Sequence, residues 1–217
     1  MLARAMPATP CQVAGTEVET LLDILRDEVN LAVWQRQLDP AVLHFAQAVL
    51  ASGSVLAETY TWTQEDPQAA DKVKLPGFAQ LVAGVPGYAQ FIADIAYLVS
   101  LFACLLDART VGVRLRTLDK AMCPRWHVDK VPVRLVTSYA GPGSEWLSEQ
   151  DSPRQQLGGP AVDPYMKDDA AHALACAEVA LLKGERWQGN EGRGLVHRSP
   201  GLPAGQRRLL LTLDWLD

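Results

Sequence analysis

Residues 207–215 read RRLLLTLDW, and the alternation in this stretch decides what the chain can build. Positions 207, 209, 211 and 213 carry Arg, Leu, Leu and Leu, whereas 208, 210 and 212 carry Arg, Leu and Thr. Successive side chains of a β-strand point to opposite faces. The triple-leucine face belongs against helices, and the other face, with Arg208 and Thr212, looks into a cavity. A buried guanidinium needs an anionic partner, and its planar fork suits bidentate capture of a carboxylate. Arg207 is then the exposed neighbour.

Working back along the chain, GLVHRSP (194–200) places His197 just before this strand, and His127-Val128-Asp129 lies seventy positions earlier. On extended backbone, positions i and i+2 point the same way, so His127 and Asp129 can reach one metal, with His197 joining from a neighbouring strand. Two histidines and one carboxylate occupy one face of an ion and leave the opposite face open. That donor set suits a non-haem Fe(II) centre, and its open positions set it apart from a closed structural zinc site. Plainer readings exist. Both histidines can be ordinary hydrogen-bonded residues, and Asp129 can pair with Lys130 or Arg134. Cys123, His172 and Cys176 permit a Cys/His zinc set if His172 and Cys176 share a helix face. Trp126 and Trp146 flank the candidate site and can stack a substrate or fill core, whereas His44 reads as structural. No G-x-S-x-G, P-loop or dinucleotide fingerprint supports a hydrolase, NTPase or Rossmann reading.

The pattern divides the 217 residues into a helical part and a strand-rich part of a single domain. Residues 1–15 read as a loose arm, and Thr16-x-x-Glu19 opens a short helix to about Arg26. Residues 30–36 suit a strand, Asp39-Pro40 starts a helix to about Ala51, residues 55–63 are β-rich, and 64–75 form a polar loop. From Gly77 to Ala108 apolar residues recur at helical spacing, broken at Gly84-Val85-Pro86-Gly87. Strands are expected over 110–118, 126–139, 178–182, 194–197 and 207–213. A turn falls at 141–143, a long loop over 148–164 and a short helix over 168–176. The expected fold is α+β, with residues 1–108 a mainly helical support packed on a small barrel or jelly roll formed by 109–217.

Bulk properties narrow the partners. Hydrophobic residues make up 48% of the chain, enough for a core and against disorder. The net charge of −5 comes with no block of Lys or Arg, so neither nucleic acid nor a membrane surface is indicated as partner. The most apolar stretch, Ile92 to Leu106, is too short to span a bilayer, and the four cysteines show no C-x-x-C. A cytoplasmic protein with reduced thiols is expected.

From Cys123 onward the chain resembles the Fe(II)/2-oxoglutarate dioxygenase superfamily and its double-stranded β-helix. HVD resembles that superfamily's first-strand motif. RLVTSYAGPGSEWL (134–147) resembles the tyrosine-bearing strand and Gly-rich turn that follow it, and 177–216 resembles the closing block with distal histidine and arginine. The resemblance implies His127, Asp129 and His197 as iron ligands, Arg208 as anchor of the co-substrate 2-oxoglutarate, and Tyr139 and Thr212 as further co-substrate contacts. It also implies hydroxylation of a small-molecule or peptide substrate. Ala177 departs from the pattern, standing where the superfamily has glycine. CPRWHVDK and HRSP are similar to motifs of a whole-length bacterial family of unknown function, whose members often lie near zinc-limitation genes. That keeps a second expectation open, a non-enzymatic cupin-like zinc module for metal trafficking or sensing.

Overall fold

The computed structural model describes residues 9–65, 73–152, 154–157 and 168–216. Two helices and two sheets carry the fold. Helix α1 spans Pro40–Ala51 and starts as its sequence dictates, with the Asp39 side chain accepting from Ala41 N at 2.7 Å and Pro40 in the first turn. It buries Val42, Phe45, Ala46 and Val49, one stripe at helical spacing. Helix α2 spans Tyr88–Leu106 and buries Phe91, Ile95, Leu98, Val99, Phe102 and Leu106. Its start lies so close to α1 that a Cβ at Gly87 would stand 2.4 Å from the Ala41 carbonyl oxygen, and Gly87 has φ 90°. Only glycine meets both conditions. By length and composition α2 could cross a membrane, being longer than the apolar stretch from Ile92 suggested, but its buried stripe is part of the protein core.

The large sheet contains β1 (Cys11–Gly15), β2 (Val29–Trp34), β3 (Ala57–Thr63), β4 (Thr110–Leu118), β5 (Val133–Ala140), β8 (Val179–Lys183) and β10 (Arg208–Trp215), in the order β1-β2-β8-β5-β10-β4-β3. Only β1 and β2 run parallel. A small sheet has the order β7 (Ala171–Ala173), β6 (Glu145–Leu147), β9 (His197–Arg198). His127 extends it through an antiparallel bridge to His197. One face of the large sheet packs on α1 and α2: Leu209, Leu211 and Leu213 lie there with Val133, Leu135 and Tyr139. The other face contributes Leu31, Val33, Val136, Ala180, Leu182 and Leu210 to a second cluster, against which Trp146 of the small sheet packs. The parity expected for the last strand is therefore the parity observed.

Several local expectations need correction. Residues 11–15 of the presumed arm form an edge strand, and residues 1–8 lie outside the described residues. Val18–Leu25 is a 3-10 helix. The first 108 residues supply β1, β2 and β3 to the large sheet as well as both long helices, so the sheet does not begin at 109. In place of one helix over 168–176 stand a 3-10 turn, Asp168–Ala170, and strand β7. The stretch expected to be extended from Trp126 is strand only from Val133, apart from the bridge at His127. The loops expected over 64–75 and 148–164 lie partly outside the described residues.

A largely buried ion pair fastens helix to sheet. Asp94, the one acid in the apolar run of α2, accepts from Arg36 Nη1 and Nη2 at 2.7 and 3.0 Å and from the Tyr139 hydroxyl at 2.6 Å. Phe91 packs edge-on against the same tyrosine ring.

Candidate metal centre

Main-chain pairing brings the two histidines together. His127 N donates to His197 O at 3.0 Å and His197 N to His127 O at 2.9 Å, the reciprocal bonds of an antiparallel pair. Such partners project to the same face, and the two imidazole rings stand 4.5 Å apart. Each ring is then oriented by its own strand. Nδ1 of His127 lies 2.9 Å from Arg125 O, and Nδ1 of His197 lies 3.1 Å from Leu195 O. A carbonyl only accepts, so both Nδ1 atoms carry the proton and both Nε2 atoms present lone pairs. Those two nitrogens face Asp129: His197 Nε2 is 3.5 Å from Oδ2 and His127 Nε2 is 3.8 Å from Oδ1. Three donor atoms, one from each residue, lie within 4.8 Å of one another, and among the described residues no other His/Cys/Asp/Glu group does this.

Backbone packing places Asp129. Glu185 N donates to Asp129 O at 2.9 Å and Gly184 N to Pro132 O at 2.9 Å. A Cβ on Gly184 would lie 2.1 Å from Val131 O and 2.6 Å from Asp129 O, so glycine lets the ligand loop lie against the end of β8. The charge state suits a ligand. Burial alone would raise the Asp129 carboxyl, but at the acid pH where it titrates the rings are protonated, and the hydrogen bond and charge of His197, with the charges of Arg134 and His127, hold it down at about 2. Burial and the neighbouring His197 lower the pKa of His127, which favours the neutral, metal-binding imidazole.

The cavity over the triad is lined by His127, His197, Arg134, Ser144, Leu210 and Thr212, among others. Behind Ser144 stands Arg208, 1% exposed. Its Nε donates to Ser138 Oγ at 2.9 Å and its Nη2 to Ser144 Oγ at 2.8 Å. Among the described residues no carboxylate pairs with it, and burial pushes its pKa down to about 10. A cation without an anion in the protein is an expensive arrangement unless a ligand supplies the charge.

Of the residues expected at the site, His127, Asp129, His197 and Thr212 gather here, with Arg208 immediately behind. Tyr139 does not. It is fully buried on the helix-packed face, where its hydroxyl is bound to Asp94. Alternation along β5 accounts for this: Arg134, Val136 and Ser138 face the cavity side, so Tyr139 faces away. Trp126 does not line the cavity either: it is buried beneath Arg198 and beside Leu147 and Val196. Trp146 lies opposite His197 in the small sheet. The Cys/His zinc set does not assemble. His172 stacks on Trp146 at 4.3 Å, Cys176 Sγ hydrogen-bonds the carbonyls of Ser138 and Tyr139, and Cys123 lines the cavity edge. Arg207 is partly buried, and donates to Leu50 O and Ser54 O at the end of α1.

Sequence reading did not pick out Ser138 and Ser144, which hold Arg208. Strand parity from Arg134 signals the first, and nothing in the glycine-rich turn signals the second. Arg134 was weighed only as a surface partner of Asp129. It is that partner, at 2.7 Å, but inside the cavity. Ala177 has φ 77°, a left-handed conformation that favours glycine.

The profile of the family described as "Protein of unknown function (DUF1826)" matches residues 15–214, and the chain belongs to that family. No curated protein matches it in sequence. Among solved structures it is similar to dioxygenase for auxin oxidation 1 from Arabidopsis thaliana in its 2-oxoglutarate binary complex. That match has a TM-score of 0.52 and 9% identity and covers 96% of this chain and 92% of the other. A structure from Shewanella oneidensis matches equally well, with a TM-score of 0.52, 10% identity and coverage of 96% and 90%. A prolyl-4-hydroxylase from Pseudomonas putida gives 0.44 at 14% identity, over 90% and 96%. At these identities the likeness is one of fold.

Proposed function

We propose that the chain is an Fe(II)- and 2-oxoglutarate-dependent oxygenase, with its two sheets forming a double-stranded β-helix. One observation carries the reading: the two histidines of an open His-Asp-His donor set line a cavity with Ser144, and Ser144 holds a buried arginine that no carboxylate among the described residues neutralises. His127, Asp129 and His197 would hold the metal. When bound, ferrous iron with 2-oxoglutarate supplies oxidative decarboxylation of the co-substrate and hydroxylation of a substrate C–H bond.

The protein's own residues have separate tasks. The two Nδ1–H bonds fix both imidazoles before any ligand arrives. Arg208 meets the distal carboxylate of the co-substrate, with Ser138 and Ser144 keeping its fork in plane and Thr212 beside it. Leu182, Leu210 and Val136 exclude water from that pocket. The substrate is a small molecule or peptide. The free cysteines and a ferrous requirement fit the reducing cytoplasm.

The zinc-module alternative would use the same barrel, and it gains no further ligands from Cys123, His172 and Cys176, which do not join the triad. Anaerobic purification followed by Mn(II) and 2-oxoglutarate titration, then aerobic assay of succinate, tests the proposal. Oxoacid-dependent succinate release is expected. Tight zinc, with neither co-substrate binding nor succinate, would overturn the reading.

A further inference from the structure

The two oxygens of Asp129 have different neighbours. Oδ2 lies 3.5 Å from His197 Nε2 and accepts a hydrogen bond from Arg134 Nη1 at 2.7 Å, whereas Oδ1 faces His127 Nε2 at 3.8 Å and accepts no hydrogen bond among the described residues. Arg134 is held from its other side. Its Nε donates to Asp214 Oδ1 at 2.7 Å, and Asp214 Oδ2 accepts from Arg114 Nη1 at 2.5 Å. The Asp214 side chain is 3% exposed. Strand register produces this order, because Asp214 of β10 lies opposite Arg134 of β5, and Arg114 projects from β4 on the far side. A row of alternating charges, Arg114, Asp214, Arg134, Asp129, thus crosses three strands and ends on a candidate metal ligand.

We propose that Arg134 is a positioning residue that occupies Oδ2 of Asp129, leaving Oδ1 as the only oxygen for the metal and so reserving a coordination position. The inference rests on the oxygenase reading. A carboxylate can bind an ion through one oxygen or two. With two histidines, a bidentate aspartate fills four positions of an octahedron. A chelating 2-oxo acid fills the remaining two, and none is left for oxygen. Single-oxygen coordination leaves three. A guanidinium can do what an ammonium cannot, offering Nε to Asp214 and Nη1 to Asp129 at fixed separation. Asp214 and Arg114 prevent it from swinging into the cavity as a second co-substrate contact.

Anaerobic Mn(II) provides the test. Arg134→Gln should keep Mn(II) affinity within about threefold of wild type, while 2-oxoglutarate affinity of the Mn(II)-loaded protein falls about tenfold or more. Arg134→Lys should not rescue it. The electron paramagnetic resonance spectrum of the binary Mn(II) complex should change before co-substrate is added, which a lost contact to co-substrate would not produce. Asp214→Asn keeps the guanidinium but loosens it, and should shift the same readouts in the same direction by less. Unchanged binary spectra would overturn the inference, as would parallel loss of metal and co-substrate, the mark of a residue that only supports the fold. If Arg134→Gln does not fold, Asp214→Asn alone decides by the same criteria. Wild-type protein that binds neither Mn(II) nor 2-oxoglutarate overturns the oxygenase reading and this inference together. Wild type that binds both, with unchanged variants, overturns this inference alone.

Discussion

The helix-covered face of the large sheet and its cavity face both bury charge, but they treat it differently. Under the helices, Arg36, Asp94 and Tyr139 satisfy one another through three short hydrogen bonds. On the cavity side, among the described residues, Arg208 is held by two serine hydroxyls and no carboxylate, and Asp129 keeps an oxygen without a hydrogen bond. A closed network stabilises the structure it sits in. An open one stores binding capacity for something that is not part of the chain. Alternate residues of one strand, β5, serve both faces, with Tyr139 in the first network and Ser138 in the second.

The largest effect that would break this contrast is expected under the helices. Asp94→Ala leaves the Arg36 charge buried and unpaired and should cost roughly 3–5 kcal/mol in unfolding free energy. Urea denaturation measures this, and Mn(II) affinity of the folded fraction should not change. A loss of under about 1 kcal/mol would mean that the pair is dispensable.

On the cavity side the signature should invert. Arg208→Ala should weaken 2-oxoglutarate binding by about 2–5 kcal/mol, roughly thirtyfold or more, in anaerobic calorimetry. Its unfolding free energy should not fall, because truncation removes a buried charge that no carboxylate among the described residues offsets. Arg207→Ala, which frees only carbonyls at the end of α1, should cost about 1 kcal/mol of stability and leave co-substrate affinity alone. If Arg207→Ala is the change that weakens co-substrate binding, the assignment of the two faces is wrong.

Acid titration sharpens the comparison further. Asp129, held at about 2, stays ionised at any working pH. The lowered pKa of His127 keeps its imidazole neutral below the ordinary value near 6.5. Protons competing for the His127 ring should therefore not weaken Mn(II) binding until the pH falls below about 6.5. A decline centred above pH 7 would contradict the geometry.

The smallest effect lies at the seam. Ala177 N donates to Ser138 O on one side, and Ala177 O accepts from Arg36 Nε on the other. Its positive φ costs an alanine about 1 kcal/mol, so Ala177→Gly should raise stability by that amount with no change in ligand binding.

How much of this the sequence disclosed depended on the length of each pattern. RRLLLTLDW runs long enough for its phase to be read, so the placement of Arg208 and Thr212 followed from alternation alone. Tyr139 was placed by resemblance instead. A break in register between Leu209 and Leu210, opposite Ser138 to Ala140, complicates pairing there, yet counting from Arg134 along β5 puts the tyrosine outside. Short strands such as CQVAG and AHA carry too few positions to show a period, and the histidine and cysteine near the latter imitated a helix. Asp94 looked like an interruption of an apolar helix because its partners lie 58 and 45 residues away. The Arg134 to Asp129 pair was visible as a possibility, but its burial depends on the small sheet covering it, which no local pattern discloses.

The reciprocal bond between His127 and His197 has one more consequence. Because the two donor nitrogens are spaced by main-chain pairing, the distance between them does not depend on which side chains surround them. A change in the cavity side chains would leave that spacing in place.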